Sequence, residues 1–148
     1  MFMKEAAPDD ALLEKLIALS KDWEAEDSCW GYRANERSDI EGCRVFLAED
    51  GGEIVGYLLG RNCRSERRSS VLPEGSPYFE VEELYVIPAR RAEGVGTALF
   101  TYAENAVRPE ADCILLSTAT KNWRAVFHFY LDQLDMQFWS ARLFKRLH

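Results

Sequence analysis

Arg90-Arg91-Ala92-Glu93-Gly94-Val95-Gly96-Thr97-Ala98-Leu99 is the stretch of this 148-residue chain on which its fold turns. Before it comes a run rich in β-formers, Tyr78 to Ile87, closed by Pro88. After it, Leu99, Tyr102, Ala103, Ala106 and Val107 fall on one face of a helical pattern from Thr97 to Arg108, which Pro109 stops. Glycine lets the backbone approach a ligand closely, and the free N–H groups at a helix start, helped by the helix dipole, form a seat for phosphate oxygens. The order strand, glycine loop, helix therefore marks an anion site. A Walker loop needs Gly-Lys-Ser/Thr at the helix start, whereas Gly96 is followed by Thr97 and Ala98. A dinucleotide fingerprint needs a third glycine, and Leu99 stands in its place.

Working outward, Ile114-Leu115-Leu116-Ser117-Thr118 is short, apolar and continuous, as suits a central strand covered on both faces. With a helix between, it should run parallel to the Tyr78 strand in a right-handed crossover. Upstream, Arg44 to Glu49 and Ile54 to Gly60 read as a hairpin across Asp50-Gly51-Gly52. After Pro8, with Asp9 or Asp10 as cap, Leu12, Leu13, Leu16, Ile17, Ser20 and Trp23 recur at helical spacing, which predicts a helix over 10–26. Asp27 to Gly42 is polar and broken by Gly31, yet holds Trp30 and Tyr32; it reads as a short helical or looped flap. Arg61 to Pro77, with Arg61, Arg64, Arg67, Arg68 and two prolines, reads as a mobile, solvated loop without a function. A second helix is expected from Asn122 to about Gln133, and a last strand from Phe138 to Phe144. The length and the 47% of apolar and aromatic residues fit one domain over 1–148, with a core of its own.

The loop Arg91-x-x-Gly94-x-Gly96 resembles the Arg/Gln-x-x-Gly-x-Gly/Ala signature of the GNAT superfamily of N-acetyltransferases. Its context is similar as well: Gly52-Glu53-Ile54-Val55-Gly56-Tyr57 looks like the family's hairpin strand, and Val81 to Pro88 like the strand feeding the loop. Asn122-x-x-Ala125 followed by Phe129-Tyr130 looks like its second cofactor motif, although Phe129-Tyr130 falls one residue later than is common in the family. The resemblance implies an α/β fold with a mixed, mostly antiparallel sheet, a splayed parallel strand pair and flanking helices. It also implies acetyl-coenzyme A as co-substrate, its pyrophosphate cradled by Arg91, Ala92, Glu93, Gly94, Val95, Gly96 and Thr97. The pantetheine arm would lie against Leu84, Tyr85 and Val86, with Asn122 nearby.

Acetyl transfer from a thioester to an amine needs a neutral amine, a donor for the developing oxyanion and a proton source for the leaving thiolate. A backbone N–H among Leu84, Tyr85 and Val86 would polarise the carbonyl, and Tyr130 matches the tyrosine that the family places near the coenzyme sulfur. Glu80, Glu82 and Glu83 cluster on the same strand. Simple alternation puts Glu80 and Glu82 on one face and Glu83 on the other, unless a bulge resets the count. Glu82 is the first candidate for general base and Glu83 the second. His128 should face away from Tyr130. With His128 and His148 as its two histidines, the chain suggests no nucleophilic triad, and direct attack in a ternary complex needs none.

The charge is uneven. Residues 1–50 hold 13 acids and 6 bases, 51–100 hold 7 and 6, and 101–148 hold 5 and 6, so the net −7 lies in the first third. That balance argues against nucleic acid as a partner. No run of about 18 apolar residues and no signal segment is visible, which predicts a soluble cytoplasmic protein without a membrane partner. Cys29, Cys43, Cys63 and Cys113 form no CxxC pair, so reduced thiols and no metal site are expected. In the resembled fold the first helices wall the acceptor groove. Here that region carries Asp22, Glu24, Glu26, Asp27, Glu36, Asp39 and Glu41 around Trp30 and Tyr32, with Glu80 across from them, which suits a small cationic amine such as an aminoglycoside or polyamine. A protein or peptide amine, or a non-catalytic coenzyme A-binding module, are the alternatives. Members of the family are often dimers, so a homodimer is also implied.

Overall fold

The computed structural model describes residues 1–67 and 71–148; Arg68, one of the loop arginines, lies outside them. Five strands form one sheet: β1 (Phe2–Ala6), β2 (Arg44–Asp50), β3 (Glu53–Arg64), β4 (Pro77–Val86) and β5 (Cys113–Leu116), in that spatial order. Neighbours are antiparallel except β4 and β5, which run parallel. Helix α1 (Asp10–Glu26) begins where the Asp9 carboxylate accepts the Leu12 N–H at 2.8 Å, and it buries Leu13, Leu16 and Ser20. The short α2 (Arg37–Ile40) follows, and both cover one face of the sheet. On the other face lies α3 (Val95–Val107), whose Leu99, Phe100, Ala103 and Val107 pack on Phe46, Leu58, Phe79 and Val81. Helix α4 (Trp123–Phe127) runs into a π-helical turn, His128–Gln133. Among the described residues no helix is long and apolar enough to cross a membrane.

The glycine turn joins β2 and β3 as read, with Gly51 and Gly52 both at positive φ. Three expectations change, and one strand is new. β1 was not legible as a strand; it pairs with β2, some forty residues on. β3 continues through Arg61 to Arg64, so Arg61 is a strand residue and not part of a loop. β5 is the edge of the sheet and not a central strand, and its four residues are only half-buried. Phe138 to Phe144 forms no strand; this segment is irregular and mostly exposed.

Register irregularities set the aim of β4. Leu59 pairs with Glu83 but Gly60 pairs with Val81, so Glu82 is an extra residue on β4. A side chain at Gly60 would overlap the Phe79 ring and come within 2.7 Å of the Glu80 carbonyl, so β3 carries glycine where β4 bulges. After the bulge Glu83 and Tyr85 point to the α1 side, where Tyr57 lies, while Leu84 and Val86 pack on the α3 side. Glu80, Glu82 and Glu83 therefore share a face, and the strict alternation expected from sequence does not hold.

Candidate active site

Pairing of β4 with β5 stops at Val81 and Leu116, although β4 continues to Val86. Beyond that point the two strands part, and a cleft of about 810 Å³ opens between them. The loop after α1 bridges the two walls: Trp30 N–H donates to the Ala119 carbonyl at 2.9 Å, and Lys121 N–H to the Ser28 carbonyl at 2.8 Å. Leu84, Tyr85, Val86, Arg91, Ala92, Gly94, Val95, Gly96, Thr97, Asn122, Trp30, Tyr32, Glu82, Glu83 and Tyr130 all line it. Glu80 and Glu93 do not; Glu80 sits one step further along β4, and Glu93 accepts from Arg90 Nε at 2.9 Å. Sequence reading missed Trp23, Cys29 and Ser117 to Thr120 as lining residues. The segment 117–120 follows directly from β5, and its position could be inferred only once that strand was known to diverge.

At one end the backbone is shaped for an anion. Ala92 (φ 62°) and Gly94 (φ 81°) take left-handed conformations, and the first N–H of α3 to find a helical partner is Ala98, which donates to the Gly94 carbonyl at 3.0 Å. The N–H groups of Val95, Gly96 and Thr97 are thus the unpaired first turn, and nothing lies within 4 Å of where a Cβ on Gly94 would stand. Phe129 closes the loop from beneath: a Cβ on Gly96 would sit 3.2 Å from its ring. Arg91 does not reach toward the cleft end. Its Nε donates to the Val86 carbonyl at 2.9 Å, and its Nη1 and Nη2 grip both oxygens of Glu26 at 2.7 and 2.9 Å. Arg91 chiefly, with help from the Tyr85 hydroxyl, holds the Glu26 carboxyl below its usual range.

At the other end sits Glu83. Its Oε1 accepts from the Tyr57 hydroxyl at 2.9 Å, Asn35 Nδ2 at 2.9 Å and the Tyr32 hydroxyl at 3.2 Å. Asn35 is placed by Ser20, a buried hydroxyl of α1 that accepts the Asn35 N–H at 2.9 Å, and Tyr32 by stacking on Trp23 with centroids 4.3 Å apart. Burial raises the Glu83 carboxyl above the usual value, against the pull of its donors. Among the described residues every buried side-chain oxygen has a partner, so Glu83 Oε2, to which no donor points, keeps solvent access, and Glu83 lines the cleft. Glu82 differs. It binds Arg61 Nε at 2.7 Å through Oε1, and the Cys43 thiol donates to its Oε2.

Tyr130 packs edge-to-face with Phe100 and Phe129, and burial lifts its hydroxyl to about 12. Tyr130 lies within the π-turn, where Leu134 N–H donates five residues back to Phe129. His128 is exposed and meets Asp132 at 2.9 Å.

An unpaired helix N-terminus, a parallel strand pair that parts beside it and a carboxylate with one free oxygen make up this cleft. The acetyltransferase (GNAT) family matches the sequence over residues 11–134. The chain belongs to that family. A comparison with curated proteins returns no significant match. Similar solved structures include the aminoglycoside 6'-N-acetyltransferase AAC(6')-IG from Acinetobacter haemolyticus, at 19% identity and a TM-score of 0.68, covering 100% of this chain and 99% of that one. Aminoglycoside N-acetyltransferase AAC(6')-Iy in complex with CoA gives 15% and 0.67, covering 99% of each. A transcriptional regulator from Bacillus halodurans C-125 gives 19% and 0.71, covering 99% and 100%. At such identities the likeness is one of fold, and it spans the whole of this GNAT acetyltransferase.

The acids of the first third are mostly engaged within the acetyltransferase. Glu24 accepts the Ala34 N–H, Asp39 the Glu36 N–H, Asp27 holds Lys121, and Glu41 holds Arg37. Lys121 Nζ also lies 4.6 Å over the Trp30 ring. The expected acidic wall is therefore a set of structural ties around the cleft more than a row of open carboxylates.

Proposed function

We propose that this acetyltransferase transfers the acetyl group of acetyl-coenzyme A to a primary amine of a small cationic acceptor, such as an aminoglycoside or polyamine, by direct attack in a ternary complex in the cytoplasm. The observation that carries the reading is Glu83: a cleft-lining carboxylate pinned by three donors on Oε1, with Oε2 unpartnered and accessible. Such a group can take the proton of an ammonium acceptor and leave the neutral amine that attack requires. Glu83 is assigned this role in preference to Glu82, whose oxygens are occupied by Arg61 and Cys43. The unpaired N–H groups of Val95, Gly96 and Thr97 suit the pyrophosphate, and the free edge of β4 after Val81 suits the pantetheine amides. A β4 N–H beside the diverging edge would polarise the thioester carbonyl, and Tyr130 would return a proton to the thiolate.

An aminoglycoside acceptor is supported by the solved structures of AAC(6')-IG and AAC(6')-Iy, which share this fold, and antibiotic resistance would be its consequence. The overall charge of −7 favours cations through its long-range field, since the individual acids are largely tied. Thiol release from acetyl-coenzyme A, followed across a panel of aminoglycosides, polyamines, amino acids and peptides, tests the reading. Turnover with polycationic amines is the expected result; turnover confined to neutral amino acids or peptides would overturn it.

A further inference from the structure

The segment that leads into α2 is held from two sides. Three successive N–H groups in it each end on a side chain: Ala34 donates to Glu24 Oε2 at 2.8 Å, Asn35 to Ser20 Oγ at 2.9 Å and Glu36 to Asp39 Oδ2 at 2.7 Å. Glu24 and Ser20 belong to α1 and Asp39 to α2, so both helices fix this backbone. Ser20 is fully buried, and its hydroxyl proton goes to the Ile17 carbonyl at 2.7 Å, which leaves its oxygen to accept. Leaving either that oxygen or the Asn35 N–H unpaired there would be costly. From this clamped position the Asn35 amide reaches Glu83 Oε1 at 2.9 Å. Neither Asn35 nor Ser20 lines the cleft, whereas Glu83 and Tyr32 do. The amide thus approaches the carboxylate from the side of the helices, out of reach of an acceptor.

We infer that Asn35 is a positioning residue for Glu83: it fixes Oε1 and keeps the carboxylate ready to take a proton on Oε2, with Ser20 acting through it. The inference rests on the reading of Glu83 as the base. Burial is the strongest influence on that carboxyl and raises it; among those that lower it the Asn35 amide comes first, ahead of the Tyr57 and Tyr32 hydroxyls. A donor to the charged form stabilises that form, so removing the amide leaves burial less opposed and raises the carboxyl further. The other titratable groups facing Glu83 are Tyr57 of β3, Tyr32 of the loop after α1, Glu82 beside it on β4 with its partner Arg61, and the Cys43 thiol ahead of β2. None of them is altered in an Asn35 variant.

The carbon resonance of the Glu83 carboxyl, identified by its loss in Glu83→Gln, can be titrated by NMR in the full chain without substrate, and the acid limb of kcat/KM measured beside it. Asn35→Ala should make the carboxyl about tenfold weaker as an acid, the worth of one hydrogen bond to a charged group. Asn35→Asp, which sets a second carboxylate against Oε1, should weaken it further. Ser20→Ala keeps the amide but frees its backbone, and a smaller change in the same direction is expected. The acid limb should move up with each titration midpoint, while kcat/KM on the alkaline plateau stays within a few-fold of wild type. A segment that mattered only for folding would instead lower the rate at every pH. An unmoved Glu83 midpoint in both Asn35 variants overturns the inference, whatever the rates do. A midpoint that moves while the acid limb stays upholds the hold of Asn35 on Glu83 and overturns Glu83 as the base, so the two failures are told apart.

Discussion

Three donors converge on Glu83 Oε1 and none on Oε2, so the two oxygens of one carboxylate have different work. The donors fix the side chain and favour its charged form, while burial opposes ionisation and wins, raising the carboxyl. A base acts only when deprotonated. The acid limb of kcat/KM should therefore lie above the ordinary glutamate value of 4.5, activity falling as the pH drops through it. Glu83→Gln should lower kcat/KM by about 10²–10⁴-fold and leave the KM for acetyl-coenzyme A near the wild-type value. Glu82→Gln, by contrast, should slow turnover only a few-fold; equal losses in both variants would refute the assignment. Gly94 gives the complementary case on the anion side. It holds φ 81° with open space around it, so Gly94→Ala introduces backbone strain and no clash. It should cost about 1 kcal/mol in denaturant unfolding and raise the KM for acetyl-coenzyme A.

At the scale of elements, two one-residue irregularities decide where the site residues point. The bulge at Glu82 turns Glu83 to the face of Tyr57, and the π-turn carries Phe129 and Tyr130, both of which line the cleft. Gly60→Ala would press a methyl into the Phe79 ring at the bulge, and thermal unfolding should show a loss of about 1–3 kcal/mol. The sequence signals that read well were local ones: the glycine turn of the hairpin, the Asp9 cap and periodicity of α1, and the order strand, loop, helix. The proposed base was harder to read. Period-two alternation separates Glu82 from Glu83, and only Gly60, a cross-strand partner some twenty residues away, announces that the count resets. β1, the edge position of β5 and the unpaired tail were illegible for a related reason. Which strands meet is a long-range matter that short windows do not contain.

For the whole molecule the net charge of −7 is the feature that sequence overestimated as contact and underestimated as scaffolding. Glu24, Glu26 and Asp27 tie α1, its following loop, β4 with the loop after it, and the segment after β5 into one frame around the cleft. What remains for a cationic acceptor is mainly the field, and fields of exposed charge are screened by salt. Between low and physiological ionic strength kcat/KM for a polyamine should fall several-fold, while that for a singly charged amine should change little. Steady-state rates across a salt series check this.

The clasp between Glu26 and Arg91 also limits how such an enzyme can change its diet over generations. Glu26 ends α1, which would border the proposed acceptor side, yet its carboxylate braces the arginine of the anion loop and the Tyr85 hydroxyl of β4. A substitution there that welcomed a bulkier acceptor would loosen the grip on the acetyl donor in the same step. Adaptation to new amines should therefore run first through Trp30, whose side chain can be exchanged without disturbing that clasp, and reach the end of α1 last.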